Sequence, residues 1–318
     1  MPYVNINGIR THYQQTGQGP DVVLIHAFTS NLAVWVFINL IDTLASDFRV
    51  TAYDLRGHGN TEKTPDGFTS DVLAADFHEL HRALGLGPAY CVGHSLGGVV
   101  ATHAAVLHPE DVAGVIISDP YFPGLRHIDP DMGHAPMWRE LRLTLQRVGA
   151  EIGEEVDFQR LFHEVRGMNE EQFEQVRRLL GPNGARWLTQ LTHLGETTAA
   201  RDIFEPAGLS EDKLKSIQQP LVALYDEHSP FLATCDFLER ELPNCTKDIV
   251  PGAEHMALFQ NPAAFVGMVL KYLCEMAGVQ NPKYKYSRCP DCGQANLLKA
   301  GWHVCNVCGR DLSAEVAR

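Results

Sequence analysis

Residues 91–98 read CVGHSLGG, a serine with glycines two positions to either side, set at the junction of two apolar runs. The run before it, 90–92, is short and of β-strand character; the run after it, 96–108, is long, rich in small residues and helix-like. A strand that turns into a helix around one residue forces that residue into a strained backbone conformation. Side chains close on either side would collide, which is why glycine suits positions 93 and 97. The corner residue, Ser95, then stands clear of the backbone beside a helix N-terminus, where the amide of Leu96 is free to donate to an oxyanion. The stretch therefore predicts a serine nucleophile on a strand-to-helix turn.

Outward from this turn the chain alternates. Strand-like runs fall at 22–25, 50–53, 90–92, 112–118, 221–225 and 246–250, with helical stretches at 31–45, 70–84, 96–108, 231–242 and 262–277 between most of them. Such alternation implies a mainly parallel sheet covered on both faces, and 318 residues of 45% hydrophobic composition suffice to bury it. The opening residues suit a first strand and turn rather than an export signal. Between 121 and 217 no convincing strand occurs, only helical patterns such as 137–148, 170–180 and 185–194, so this insertion is expected to form a lid. After Gly278 the composition changes again, and NPKYKYSR (281–288) reads as a polar linker. The expected organisation is a core of 1–120 and 218–278, a lid of 121–217 and a small C-terminal module of 279–318.

Several further motifs carry a family resemblance. His26-Ala27-Phe28 follows the strand-like run 22–25, Asp54-Leu55-Arg56-Gly57-His58-Gly59 follows 50–53, and Pro251-Gly252-Ala253-Glu254-His255-Met256 precedes Asn261-Pro262. Together with the Ser95 turn they make residues 1–278 resemble an α/β-hydrolase, a doubly wound, mainly parallel α/β fold with an inserted helical lid. The resemblance implies Ser95 as nucleophile, His255 as general base, and the amides of Phe28 and Leu96 as oxyanion donors. Ala27 stands where the family usually has glycine. His58 and His94 are expected to be structural or pocket-lining, and His103 and His108 have no partner visible in the sequence.

The base needs a carboxylate to fix its tautomer and balance its charge. The family's commonest position for that acid lies in a segment corresponding to LVALYDEHSP (221–230), where this chain has Ser229. A second position known in the fold follows the strand before the lid, and here that residue is Asp119, in VIISDPYF. Both strand ends open on the same edge of the sheet, so either can reach the imidazole. Asp119 is the expected acid; Asp226, Glu227 or no direct carboxylate are the alternatives, and a turn carboxylate before Pro120 is the structural alternative for Asp119 itself.

The tail carries a separate signal. Cys289-Pro-Asp-Cys292-Gly and Cys305-Asn-Val-Cys308-Gly are two C-x-x-C-G knuckles separated by twelve residues. This spacing lets four thiolates close a tetrahedral shell around one structural zinc, and it resembles a zinc ribbon. Iron or a redox role for the pairs are the alternatives, the latter lacking a thioredoxin-like strand-to-helix setting. So short a module cannot bury enough core unaided, so metal is expected to fold it. The other cysteines, Cys91, Cys235, Cys245 and Cys274, are scattered in apolar contexts and read as reduced core residues.

The formal net charge of −13 argues against nucleic-acid binding. Six Lys or Arg against three acids give the tail +3 and leave −16 for the rest; four thiolates on one zinc would bring the tail close to neutral, so protein docking or plain stabilisation is expected of it rather than nucleic-acid docking. No apolar run is long enough to span a bilayer, which points to a cytoplasmic protein. The chemistry expected is hydrolysis or transfer of the acyl group of an ester, thioester or lactone, with a possible protein partner at the ribbon presenting a carrier-bound substrate. Serine rather than aspartate at the nucleophile position argues against the dehalogenase and epoxide-hydrolase branches. Carbon–carbon bond hydrolysis, and a non-catalytic binding or scaffold role suggested by Ser229, are the other readings. Tyr121, Phe122, Trp138, Phe162 and Trp187 are candidates to line an acyl pocket or to form lid core.

Overall fold

The computed structural model describes residues 2–129, 136–155, 157–280, 283–299, 304–305 and 307–313. Its central sheet has eight strands: β1 (Tyr3–Ile6), β2 (Ile9–Thr16), β3 (Asp21–Ile25), β4 (Arg49–Tyr53), β5 (Ala89–His94), β6 (Val112–Ser118), β7 (Leu221–Asp226) and β8 (Cys245–Val250). They lie in the order β1-β2-β4-β3-β5-β6-β7-β8. β1 and β2 form a hairpin across Asn7-Gly8, both at positive φ as a two-residue hairpin turn requires, and β2 runs antiparallel to β4. From β4 to β8 every pairing is parallel. The chain leaves β3 for β4 on one side and returns to place β5 on the other. The loops after β3 and β5 therefore meet at the point where strand order reverses, the natural crevice of such a sheet.

Residue alternation along the strands sorts the core into two layers. Val23 and Ile25 face helices Ser70–Ala83, Leu96–Leu107 and Leu232–Glu241, whereas Val22 and Leu24 face Ala33–Phe37, Leu40–Leu44 and Pro262–Ala277. The helix expected over 31–45 is two short helices, broken where Asn39 takes a left-handed conformation (φ 59°) that asparagine tolerates better than most residues.

Within the insertion, Trp138, Leu145, Leu161, Phe162, Leu188 and their neighbours form a core of their own, joined by Phe68 from the body. Its two ends behave differently. Phe122 and Leu125 on entry, and Leu209, Leu214 and Ile217 on exit, pack into the sheet's core. The helices expected at 170–180 and 185–194 run as Glu170–Leu194, started by a capping box between Asn169 and Gln172 and kinked at Gly181 (φ 70°).

The stretch 281–288 departs most from expectation. Rather than a free polar linker, it contains strand β9 (Tyr284–Arg288), paired antiparallel with β10 (Ala295–Lys299). Alternation turns Tyr284 and Tyr286 toward the core layer of helix Pro262–Ala277, where Ala295 and Leu297 join them. Tyr286 lies against Gly267, in space that any side chain there would fill. Among the described residues no helix is long and apolar enough to cross a membrane.

Candidate active site

Ser95 sits between β5 and helix Leu96–Leu107 at φ 50°, ψ −118°. The turn is clamped from both sides: the Ser95 amide donates to the Ser118 carbonyl at the end of β6 (2.8 Å), and the Ser95 carbonyl accepts from Gly98 (2.8 Å). A side chain at Gly93 would strike the Gly97 backbone, and one at Gly97 would strike the Ile25 carbonyl. Leu96, as first residue of the helix, has an amide without an intrahelical acceptor.

Asp119 and His255 are also non-glycine residues at positive φ, 49° and 68°, as is Thr29 at 62°. Four of the seven such residues among those described thus converge on one place, and strain of this kind persists where surrounding structure enforces it. His255 Nδ1 lies 2.7 Å from Asp119 Oδ2, and that carboxylate is wholly buried. Burial opposes charge on His255, but the hydrogen bond and negative charge of Asp119, with Asp226 adding, hold its pKa above the ordinary 6.5. The His255 carbonyl accepts from His94 Nε2 (2.9 Å), tying the base to the residue next to Ser95. Burial, helped by the nearby His255, pulls His94 down to about 4, so it is a neutral strut.

Asp226, at the end of β7, comes to the same place. Its amide donates to Asp119 Oδ1 (3.3 Å), and its Oδ2 accepts from the Ala257 amide (3.0 Å), two residues beyond the histidine. Burial first, and Asp119 second, push its carboxyl up to about 7. Ser229 Oγ accepts from the Phe231 amide (2.9 Å), a local turn contact.

The turn after β3 is held by two histidines in one tautomer. Leu55 N–H donates to His26 Nε2 (3.0 Å), so His26 Nδ1 carries the proton and donates to the Ala27 carbonyl (2.8 Å). Thr29 N–H donates to His58 Nε2 (3.3 Å), and His58 Nδ1 donates to the Arg56 carbonyl (2.8 Å). Burial lowers the pKa of both, His58 to about 3. The strained residue of this turn is Thr29 rather than Ala27, so alanine in place of glycine costs nothing there. Asp54 secures the base of the arrangement, accepting from the Leu32 amide (2.7 Å) and the Asn60 amide (2.8 Å) and pairing with His12 (2.7 Å).

Aromatic rings link the two sides of the site through the lid. His255 meets Phe231 (centroids 5.7 Å), which meets Tyr121 (5.6 Å), then Phe204 (6.4 Å), Phe158 (5.9 Å) and Phe28 (5.3 Å). An apolar wall thus runs from the histidine to the turn that carries the Phe28 amide.

The family model for the alpha/beta hydrolase fold matches residues 20–262. The chain is an α/β-hydrolase. A 2-hydroxy-6-oxo-6-(2'-aminophenyl)hexa-2,4-dienoic acid hydrolase of Metapseudomonas resinovorans is 24% identical over 87% of this chain and 92% of its own length. A pimeloyl-[acyl-carrier protein] methyl ester esterase of Vibrio atlanticus is 28% identical over 82% and 97%. Among solved structures, a thermophilic esterase from Thermogutta terrifontis superposes with a TM-score of 0.62 at 22% identity, covering 87% of this chain and all of its own.

In this α/β-hydrolase the structure brings His255, Asp119 and the Ser95 turn to one edge, with Asp226 beside them and Glu227 turned outward to accept from the Gly252 amide (2.8 Å). Of the pocket aromatics expected, Tyr121 belongs to the wall, while Phe122 lies in the sheet core and Trp138 and Phe162 in the lid core. Trp187 donates from its indole to Thr29 Oγ1 (3.1 Å), so it braces the turn after β3. Phe158, Phe204 and Phe231 were not legible in the sequence, since each meets the wall through tertiary contacts with no local pattern.

The tail cysteines are also brought together. Cys289 and Cys308 Sγ lie 3.5 Å apart, Cys292 and Cys305 3.6 Å, and all four within 4.8 Å of one another. These separations exceed a disulfide and approach the roughly 3.8 Å edge of a tetrahedron with metal–sulfur bonds near 2.3 Å. The knuckles are built alike. Cys289 N donates to Gln294 O and Cys305 N to Arg310 O (both 2.8 Å), with Gly293 and Gly309 at φ 72° and 74°. Cys289, Cys305, Leu298 and Leu312 form the module's small core, so the donor set fits a structural metal.

Proposed function

We propose that this α/β-hydrolase is a serine hydrolase working through Ser95, His255 and Asp119 on an ester, thioester or lactone with an apolar acyl group. The contact between His255 Nδ1 and the buried Asp119 carboxylate carries the reading. With Nδ1–H donating to Asp119, Nε2 is the lone-pair nitrogen and takes the Ser95 proton as Oγ attacks the substrate carbonyl. Asp119 stays ionised and balances the imidazolium. The Phe28 and Leu96 amides receive the oxyanion, the imidazolium returns its proton to the leaving group, and water activated by the same nitrogen releases the acyl group from Ser95.

The aromatic wall supports an apolar acyl group, and the likeness to a pimeloyl-[acyl-carrier protein] methyl ester esterase supports a carrier-presented form of it. In the tail, Cys289, Cys292, Cys305 and Cys308 would hold one zinc, which would supply no chemistry to the reaction but fold the module against helix Pro262–Ala277. A cytoplasmic setting fits a cluster whose ligands must stay reduced. A second reading, carbon–carbon bond hydrolysis, rests on the likeness to the dienoic acid hydrolase, whose named substrate carries no ester.

Acylation by a fluorophosphonate probe and turnover of p-nitrophenyl esters test the class. Both are expected in the wild type and lost in Ser95→Ala. Neither acylation nor turnover in folded protein would leave the binding or scaffold reading in its place. Native mass spectrometry should find one zinc that Cys289→Ser removes.

A further inference from the structure

The turn after β3 is held from the lid as well as from the body. The Ser30 amide donates to the Ala27 carbonyl (3.1 Å), closing a four-residue turn over 27–30. Phe28 is its second residue, whose amide takes no part in the bond that closes the turn and is left for an oxyanion. Thr29 is its third, at φ 62°, the position in such a turn where glycine is usual. A β-branched residue there is a conformational outlier, and it persists only where neighbours enforce it.

Two neighbours do so. On the body side, the Thr29 amide donates to His58 Nε2, a long bond at 3.3 Å, and His58, kept neutral by burial, retains the lone pair that accepts it. On the lid side, the Trp187 indole donates to Thr29 Oγ1 (3.1 Å). One turn further along the same helix, Gln190 Nε2 donates to the carbonyl of Gly57, the residue before His58 (2.9 Å). Leu194 borders Gly57 as well, its Cδ2 lying 3.8 Å from where a side chain on Gly57 would begin. Trp187, Gln190 and Leu194 are spaced three and four apart, so one face of helix Glu170–Leu194 grips both the oxyanion turn and the segment that supports it.

We infer, on the serine-hydrolase reading proposed for this site, that Trp187 is a positioning residue for the reaction: its hydrogen bond to Thr29 holds the turn in the conformation that aims the Phe28 amide at the oxyanion. Trp187 touches no reacting atom itself. Its effect falls on the transition state, because the donor it aligns is used fully only when the carbonyl oxygen gains charge. Turnover thereby depends on the lid helix lying on this turn. The ring of Trp187 also packs against the lid core, so the role of its N–H is separable from that of its bulk.

The test is p-nitrophenyl ester turnover by the full chain, with kcat and KM measured separately. Trp187→Phe keeps an aromatic ring and removes the donor. Its kcat should fall about tenfold with KM changed less than twofold, short of the roughly 100- to 1000-fold that follows outright loss of an oxyanion donor. A second pair of variants approaches the bond from the other side. Thr29→Val removes the acceptor and keeps a β-branched residue at positive φ, so it should lose as much as Trp187→Phe. Thr29→Gly removes the acceptor and the strain together, so it should lose several-fold less than Thr29→Val, an ordering that lost packing alone would not produce. Wild-type kcat in folded Trp187→Phe, a loss confined to KM, or equal losses in Thr29→Val and Thr29→Gly overturns the inference while leaving the hydrolase reading in place. A wild type with neither ester turnover nor fluorophosphonate labelling of Ser95 overturns both.

Discussion

Replacing Asp119 by asparagine tests the proposed mechanism most sharply, because the surroundings dictate how the amide must sit. One oxygen of Asp119 accepts from the Asp226 amide and the other from His255 Nδ1. Asparagine has one acceptor and one donor to offer these two places. With its carbonyl toward the Asp226 amide, its NH2 group faces His255 Nδ1, which must then be the lone-pair nitrogen. The proton moves to Nε2, and His255 cannot take one from Ser95. With the amide reversed, two buried donors would face each other, at a cost of about 1–3 kcal/mol.

The inactive tautomer is thus built in, and kcat should fall about four orders of magnitude, the loss such a tautomer change produces in other serine triads. At 1.36 kcal/mol per tenfold this is roughly 5 kcal/mol of transition-state stabilisation. The assay is p-nitrophenyl ester turnover across pH. A base must be neutral to act, so wild-type kcat/KM should rise with pH through a pKa above 6.5, and the residual activity of Asp119→Asn should rise at lower pH. Asp226→Asn keeps an acceptor for the Ala257 amide and should lose less than about tenfold. Comparable losses in the two variants, or a loss below tenfold in Asp119→Asn, would refute the reasoning.

Asp226→Asn should also change how stability depends on pH. The folded carboxyl is pushed up to about 7 against an ordinary 3.8, so its favourable contribution is complete below 3.8 and lost as pH rises through 7. Wild type should therefore lose stability relative to Asp226→Asn between pH 4 and 8, read from urea midpoints. Gly97→Ala, whose side chain would enter the Ile25 carbonyl, should cost about 3 kcal/mol or more by thermal denaturation and disturb the turn after β3 with it. Gly267→Ala should leave its helix at least as stable, since alanine is favoured by about 1 kcal/mol, yet displace Tyr286 and undock the tail. Faster proteolysis near residue 280 with esterase activity kept is the expected outcome; unchanged protection would count against the docking.

What could be read from the sequence follows the range of the forces involved. Parallel strands buried on both faces are continuous apolar runs, and those at 22–25, 50–53, 112–118 and 221–225 lie within one residue of the strands found. The Ser95 turn was legible because its steric demands fall on neighbours in sequence. The break at Asn39 was not, because a left-handed asparagine inside an apolar helical pattern leaves no signal in periodicity. Residues 281–288 read as a linker because Lys283, Lys285 and Arg288 dominate the composition. The apolar information lay in Tyr284 and Tyr286, and their alternation became a strand once Gly267 offered a surface. Long-range features were the least legible. Nothing near Phe158 or Phe204 marks them as rings of one wall, and nothing near Asp54 shows that it fastens His12, Leu32 and Asn60 together.

The choice between Asp119 and Asp226 was open in the sequence for a structural reason. β6 and β7 are neighbours in parallel register, Ser118 opposite Leu224, so the residues just beyond deliver two carboxylates to one imidazole. Two such groups buried together cannot both carry charge cheaply. The site resolves the conflict by geometry. Asp119 has the His255 imidazole as its partner, whereas Asp226 is met only by neutral backbone amides, those of Ala257 and His255. Asp226 is accordingly the carboxyl whose pKa is pushed up, while Asp119 is the one that faces the imidazole. Ser229 completes the logic: a carboxylate there would bring a third negative charge to this edge, while serine needs none to receive the Phe231 amide ahead of helix Leu232–Glu241.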